Sequence, residues 1–146
     1  TGRMLGTAAY AKKIRAFSGS ADLQRVEFHL GFIADNELDR LIRGARYTVF
    51  PYTRFSGHSG AVARSAAHGV PVLVSDVGGL AALAINENYV FQANDQASLA
   101  EVLTARLQDE TGIEKERRSQ LEKAGKLSWT RSAKDHVKLY RTMVTR

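Results

Sequence analysis

The stretch Tyr52–Val74, YTRFSGHSGAVARSAAHGVPVLV, constrains the fold of this chain more than any other. A Gly/Ser-rich turn opens a helix of mostly small residues, and Gly69 and Pro71 then launch a strand. Free backbone N–H groups and the helix dipole at such an opening favour negative charge, so this order suits an anion laid on a helix N-terminus. The same residues also suit a plain tight turn with an N-cap, since Ser and Gly are preferred in both places.

Around this stretch, strand and helix signals alternate. Ala8–Phe17 carries Tyr10, Ile14 and Phe17 at helical spacing, Ser18–Asp22 is a turn, and Val26–Leu30 alternates as a short strand. Asp35 is expected to cap a helix with Leu38, Leu41 and Ile42 on one face and Gly44 near its end. Tyr47–Phe50 is an apolar strand ended by Pro51, and a second strand runs over Pro71–Ser75. Gly78–Gly79 opens a short helix over Leu80–Ala84, with Asp76 as its expected cap, and Tyr89–Phe91 is a small strand. Asp95 or Ser98 caps a helix through about Leu107; further helices are expected at Glu114–Ala124 and Arg131–Val144. Short buried strands alternating with helices predict an α/β fold, a doubly wound Rossmann-like parallel sheet with helices on both faces. In such a sheet ligands bind outside the carboxyl ends of the strands, which selects three glycine-bearing loops: Gly31–Asn36, Tyr52–Gly60 and Asp76–Leu80.

Composition narrows the function classes. The 146 residues suit one domain, and there is no cysteine for a disulfide or a thiolate metal site. No apolar run reaches the length of a membrane span, and no His/Asp/Glu spacing points to a metal. The net charge of +6 is carried largely by the final third. Without interleaved aromatics, that segment reads as a solvated basic face, or as one with affinity for a membrane surface, rather than as a nucleic-acid site.

Several motifs resemble, together and over nearly the whole chain, the donor-binding domain of GT-B retaining glycosyltransferases of family 4, the glycosyl transferases group 1. Gly31-Phe32-Ile33-Ala34-Asp35-Asn36-Glu37-Leu38 is similar to a family loop whose backbone meets the nucleotide base, and Pro51-Tyr52 to a pair that ends the next strand. The family pattern E-G-F-G-x-x-x-x-E-A-x-A-x-G-x-P-V aligns without a gap on Ser56 to Val72. Ser75-Asp76-Val77-Gly78-Gly79 matches S-D-x-G-G, and Ser128-Trp129 is similar to the family's S-W before its last helix. The resemblance implies a donor site of Phe32, Ile33, Ser56, Gly57, His58, Ser59, Gly60, Ala61, Arg64, Gly78 and Gly79. In it the N–H groups of Ser59, Gly60 and Ala61 and the Ser59 hydroxyl would meet a diphosphate. His58 and Ser56 are the candidate catalytic residues, His58 because its imidazole titrates near neutrality. No cofactor or metal is expected beyond the nucleotide-diphosphate sugar itself.

The departures are as consistent as the matches. Where the family carries glutamates, this chain has Ser56 and Arg64, and a third acidic position is Ala82. A carboxylate accepts two hydroxyls, whereas an arginine only donates and pairs with phosphate or carboxylate. Against the family pattern, residues 1–146 read as a single nucleotide-sugar-binding domain that lacks a first strand and helix, with Gly2-Arg3 near the end of the second strand. The resemblance thus implies a sugar donor, a glycan or lipid-linked acceptor, an acceptor-binding domain elsewhere and inactivity of this segment alone. It implies a cytoplasmic location with peripheral contact to the inner membrane face; an uncovered sheet would favour self-association. The alternative is a non-catalytic module that keeps a nucleotide or glycan pocket without the glutamates.

Overall fold

The computed structural model describes residue 29 and residues 31–57, 59–109, 111–127 and 129–144. Two compact units are present, Thr1–Leu38 and Asp39–Arg146. The expected elements at Ala8–Phe17 and Val26–Leu30, the Gly2-Arg3 pair, His58 and Ser128 lie outside the described residues.

The elements, in chain order, are helix α1 (Asp35–Gly44), strand β1 (Thr48–Phe50), helix α2 (Gly60–Ala67) and strand β2 (Val72–Ser75). Two 3₁₀ turns follow, Leu80–Leu83 and Glu87–Tyr89, then strand β3 (Val90–Phe91) and helices α3 (Gln96–Gln108), α4 (Ile113–Gly125) and α5 (Trp129–Val144). The strands form a parallel sheet in the order β1-β2-β3, with Val49 opposite Leu73 and Val74 opposite Val90. All four residues of β2 are buried although alternate side chains point to opposite faces. Both faces of the central strand are therefore covered, as a doubly wound sheet requires.

The turn from α2 into β2 shows how the sequence builds this unit. Gly69 has φ +71°, the left-handed conformation that ends helices. Its N–H reaches the Ala66 carbonyl and the Val70 N–H reaches that of Ser65, the bond pair of a Schellman motif. A Cβ at Gly69 would lie 2.8 Å from Leu121 Cγ, so α4 packs where only glycine leaves room. Proline at 71 has no N–H to offer, but its carbonyl accepts from Thr48 and joins β1 to β2. Val62 and Ala66, one turn apart on α2, close over Val72, Val74, Leu80 and Tyr89 in the core. Each fully buried Val or Leu there contributes roughly 1.5–3 kcal/mol.

Helix α4 carries two buried polar residues. Gln120 is fully buried; its Oε1 accepts from the Val72 N–H at 3.3 Å and its Nε2 donates to the Leu83 carbonyl at 2.9 Å. Glu116 accepts from the Tyr47 hydroxyl at 2.6 Å, with Arg106 Nη1 3.8 Å from its other oxygen. Burial, followed by that hydrogen bond, pushes the Tyr47 phenol up to about 12, and the same two causes raise Tyr89. Tyr47 and Tyr89 stand just before β1 and β3, so this network closes the amino ends of the strands and leaves the carboxyl ends for loops.

Several local expectations need correction. Asp35 is the first residue of α1 rather than its cap, since the Leu38 N–H already bonds back to the Ala34 carbonyl. Asp76 does not cap the turn at Leu80; its carboxylate accepts from the Ala93 N–H at 2.8 Å and ties the loop after β2 to that after β3. Tyr89 belongs to a 3₁₀ turn, not to β3, because Asn86 caps that turn through the Asn88 N–H. Asp95, not Ser98, caps α3, accepting from the Ala97 and Ser98 N–H groups; the Ser98 hydroxyl accepts from Gln92 instead. The last two helices begin earlier than expected, at Ile113 and Trp129.

Candidate functional site

The carboxyl ends of β1 and β2 feed two of the three expected loops, and a backbone bond joins them. After β1, the rings of Phe50, Tyr52 and Phe55 stack in succession, with centroids 6.4 and 5.0 Å apart. After β2, Gly78 takes φ +57° and sits against Phe55: a Cβ there would lie 2.6 Å from the Phe55 carbonyl oxygen. The next amide, Gly79 N–H, donates to the Gly57 carbonyl at 3.3 Å. The glycines at 57, 78 and 79 thus meet, while the loop carrying Phe32 and Ile33 belongs to the first unit. Phe32 there is 96% exposed and Ile33 is half-buried.

Ser59 sets the start of α2. Its backbone is extended (φ −77°, ψ 125°), and its hydroxyl accepts from the Val62 N–H at 3.4 Å. The Ser59 carbonyl takes the Ala63 N–H, the first bond of the helix. Only 6% of Ser59 is exposed, and the Tyr52 hydroxyl lies 3.1 Å from its Oγ. The Tyr52 carbonyl in turn accepts from Ser75 Oγ at 2.7 Å, linking the last residue of β2 to the cap of α2. The Ser59 hydroxyl, expected at a diphosphate, is thus engaged with the Val62 N–H and the Tyr52 hydroxyl in the fold. Gly60 and Ala61 stand exposed on the first turn, and their N–H groups have no acceptor among the described residues. Ser56 is exposed as well; His58 lies outside the described residues.

Arg64 faces α1. Its Nε donates to Asp39 Oδ1 at 2.7 Å, and His68 Nε2 lies 2.8 Å from the same oxygen. Arg43 Nε, one turn beyond Asp39, reaches His68 Nδ1 at 3.4 Å. The hydrogen bond from Arg64, then that from His68, holds the Asp39 carboxyl at about 2, well below the usual carboxylate range. Asp39 is 25 residues from Arg64 and lies just past the Gly31–Leu38 motif, so no local pattern announces this partner. A cleft of about 300 Å³ opens between the loops after β1 and β3, lined by Tyr52, Thr53, Gln92, Asn94 and Asp95 among others. No group of three or more His, Cys, Asp or Glu able to hold a metal occurs among the described residues.

Two comparisons bear on this arrangement. The family model described as "Glycosyl transferases group 1" matches residues 3–109, a span that contains every site residue above. The chain belongs to the glycosyl transferases group 1 family. No curated relative matches its sequence. Among solved structures, the fold of this group 1 chain is similar to that of sucrose-phosphate synthase from Thermosynechococcus elongatus, with a TM-score of 0.74 at 20% identity. The alignment takes in 99% of this chain but only 37% of the synthase, so the group 1 chain spans well under half the length of that relative. The doubly wound α/β expectation is met. The matched span ends in the residues just after α3, leaving α4 and α5 outside it.

Proposed function

We propose that this chain is the donor-binding portion of a retaining glycosyltransferase. It would hold a nucleotide-diphosphate sugar at the carboxyl ends of β1 and β2, for transfer of the sugar to a glycan or lipid-linked acceptor. The observation that carries this reading is the bond between Gly79 N–H and the Gly57 carbonyl, which locks the two glycine loops beside the open amides of Gly60 and Ala61. Charge builds on the diphosphate as the glycosidic bond to the sugar breaks. Fixed N–H donors and the helix dipole stabilise that charge without having to reorganise. Ser59 and Tyr52 act behind these donors by fixing where the helix begins.

The position of Gly60 supplies a clean test. Proline is well accepted at the first residue of a helix, Ser59 already has the extended backbone that a following proline demands, and space beside Gly60 is open. Gly60→Pro therefore deletes one amide donor and leaves the helix. Titrating UDP, GDP and ADP into labelled chain should shift the amides of Ser56–Ala61 and Gly78–Gly79 for one base class. Gly60→Pro should weaken that response about tenfold or more, as expected for a hydrogen bond to a charged group. Equal response in parent and variant would remove the amides from the site.

A second reading, a non-catalytic nucleotide- or glycan-binding module, draws on Arg64. At a position where the family pattern has a glutamate, Arg64 is already engaged by Asp39. Installing Ser56→Glu and Arg64→Glu, with Asp39→Asn so that two carboxylates do not meet, separates the readings. Tighter donor binding supports a decayed module, and lost binding supports a reworked but working pocket.

A further inference from the structure

Tyr52 belongs to two places at the carboxyl ends of the strands. Its hydroxyl lies 3.1 Å from the Ser59 Oγ that caps α2, and the same residue lines the cleft of about 300 Å³ between the loops after β1 and β3. None of the glycines at 57, 60, 78 and 79 lines that cleft, so it is distinct from the glycine loops. Phe91, which is buried, and Leu99, which is half-buried, add to its apolar lining. Its polar lining comes from Thr53 after β1 and from Gln92, Asn94, Asp95 and Gln96 after β3. Asn94 turns the second of these loops at φ +63°, a left-handed conformation that asparagine tolerates better than most residues. Bonds to backbone amides hold that loop in place. Asp76 Oδ1 accepts from the Ala93 N–H at 2.8 Å, Ser98 Oγ from the Gln92 N–H at 2.9 Å, and Asp95 Oδ1 from the Ala97 and Ser98 N–H groups at 2.9 and 3.0 Å. The side chains of Thr53, Gln92, Asn94 and Gln96, and the second carboxylate oxygen of Asp95, make no hydrogen bond among the described residues.

We propose that this cleft is a saccharide site separate from the donor loops, taking one unphosphorylated sugar ring of a glycan. Amide side chains and hydroxyls both donate and accept hydrogen bonds, and a carboxylate only accepts. Such a set complements the hydroxyls around a sugar ring, each of which can also do both, while the carbon-bound hydrogens of the ring meet the apolar lining. Apolar walls with a few placed polar groups are the usual make-up of a small-molecule pocket, and about 300 Å³ is the small end of their range, which suits one ring rather than a chain. Charge selects against the phosphorylated part of a donor. Asp95 is the only charged residue in the described lining, and no lysine or arginine lines the cleft, so a diphosphate there would face a carboxylate without a compensating cation. A chain of a glycosyl transferase family works among saccharides, so the neutral hydroxylated ligand that fits is a sugar. Through Tyr52 the ring would sit one side chain away from the cap of α2, which keeps a glycan beside the loops proposed to hold the donor.

Titrating D-glucose, D-galactose, D-mannose and N-acetylglucosamine into the labelled 146-residue chain tests the proposal, read at the amides of Thr53 and Gln92–Gln96. At least one of these sugars should shift those amides in a saturable way, and inorganic pyrophosphate should not. Asparagine caps helices as well as aspartate does, so Asp95→Asn keeps the start of α3 and removes only the charged acceptor. It should weaken the sugar about tenfold, as expected for a hydrogen bond to a charged group. Gln96→Ala should weaken it about threefold, while Gln108→Ala, at the far end of the same helix, should match the parent. Thermal melts matching the parent confirm that each variant is folded. No response of the cleft amides to any of the four sugars overturns the proposal. Equal affinity in the parent and Asp95→Asn, or a pyrophosphate response at the cleft amides, does so too. The donor reading is judged separately by the nucleotide response at Ser56–Ala61, so either site can fail without the other.

Discussion

Replacing Gly78 by alanine probes the joint between the two glycine loops directly. The added Cβ meets two penalties. At φ +57° an L-residue other than glycine costs about 1–2 kcal/mol. The methyl group would also lie 2.6 Å from the Phe55 carbonyl oxygen and 3.2 Å from its carbon, and both are backbone, so no side chain can rotate away. The loops must separate, which forfeits the Gly79–Gly57 bond, worth about 0.5–1.5 kcal/mol. Together these give a loss of about 2–3 kcal/mol, or about 5–10 °C in melting temperature for a chain of this size. Gly60→Ala is the matched control: its Cβ meets nothing within 4 Å and its φ is not positive, so it should stay within about 1 kcal/mol of the parent. Urea unfolding and thermal melts of the three proteins decide the matter. If Gly78→Ala and Gly60→Ala unfold at the same midpoint, the close contact with Phe55 does not hold the loops and the argument fails.

Two further outcomes follow from side chains away from these loops. The Asp39 carboxyl titrates at about 2 in the fold against 3.8 free, so its contribution is complete above pH 3.8 and lost as pH falls through 2. Asp39→Asn should accordingly be less stable than the parent at neutral pH, and the two urea midpoints should converge over that acid window. Gln120→Leu keeps the bulk but strands the Val72 N–H and the Leu83 carbonyl in a dry core, at about 1–3 kcal/mol for each group. A midpoint within error of the parent would show that these bonds are not made.

Much of the fold could be read from the sequence because its signals are local. The Gly69–Pro71 turn works through the backbone of the two residues that announce it, and the apolar runs at Tyr47–Phe50 and Pro71–Ser75 become neighbouring strands. Ser59 could be read as a cap for the same reason. What escaped depends on partners distant in the chain. Asp76 sits before a glycine pair like any cap, yet its acceptor role is fulfilled 17 residues on, at Ala93. Arg64 takes Asp39 from another helix, and Tyr52 reaches Ser59 across a turn whose path the sequence does not specify. Helix α4 shows the same limit from the other side. Its run of Glu, Lys, Arg and Gln has the composition of a solvated face, yet Glu116 and Gln120 are buried because Tyr47, Val72 and Leu83 supply partners.

Gln120 also determines how the second unit comes apart. One side chain holds the first amide of β2 and the last carbonyl of the turn after it, so α4 cannot lift from the sheet without exposing both. Local opening of α4 and melting of the sheet therefore become one event, and the Val72 amide exchanges with solvent only through it.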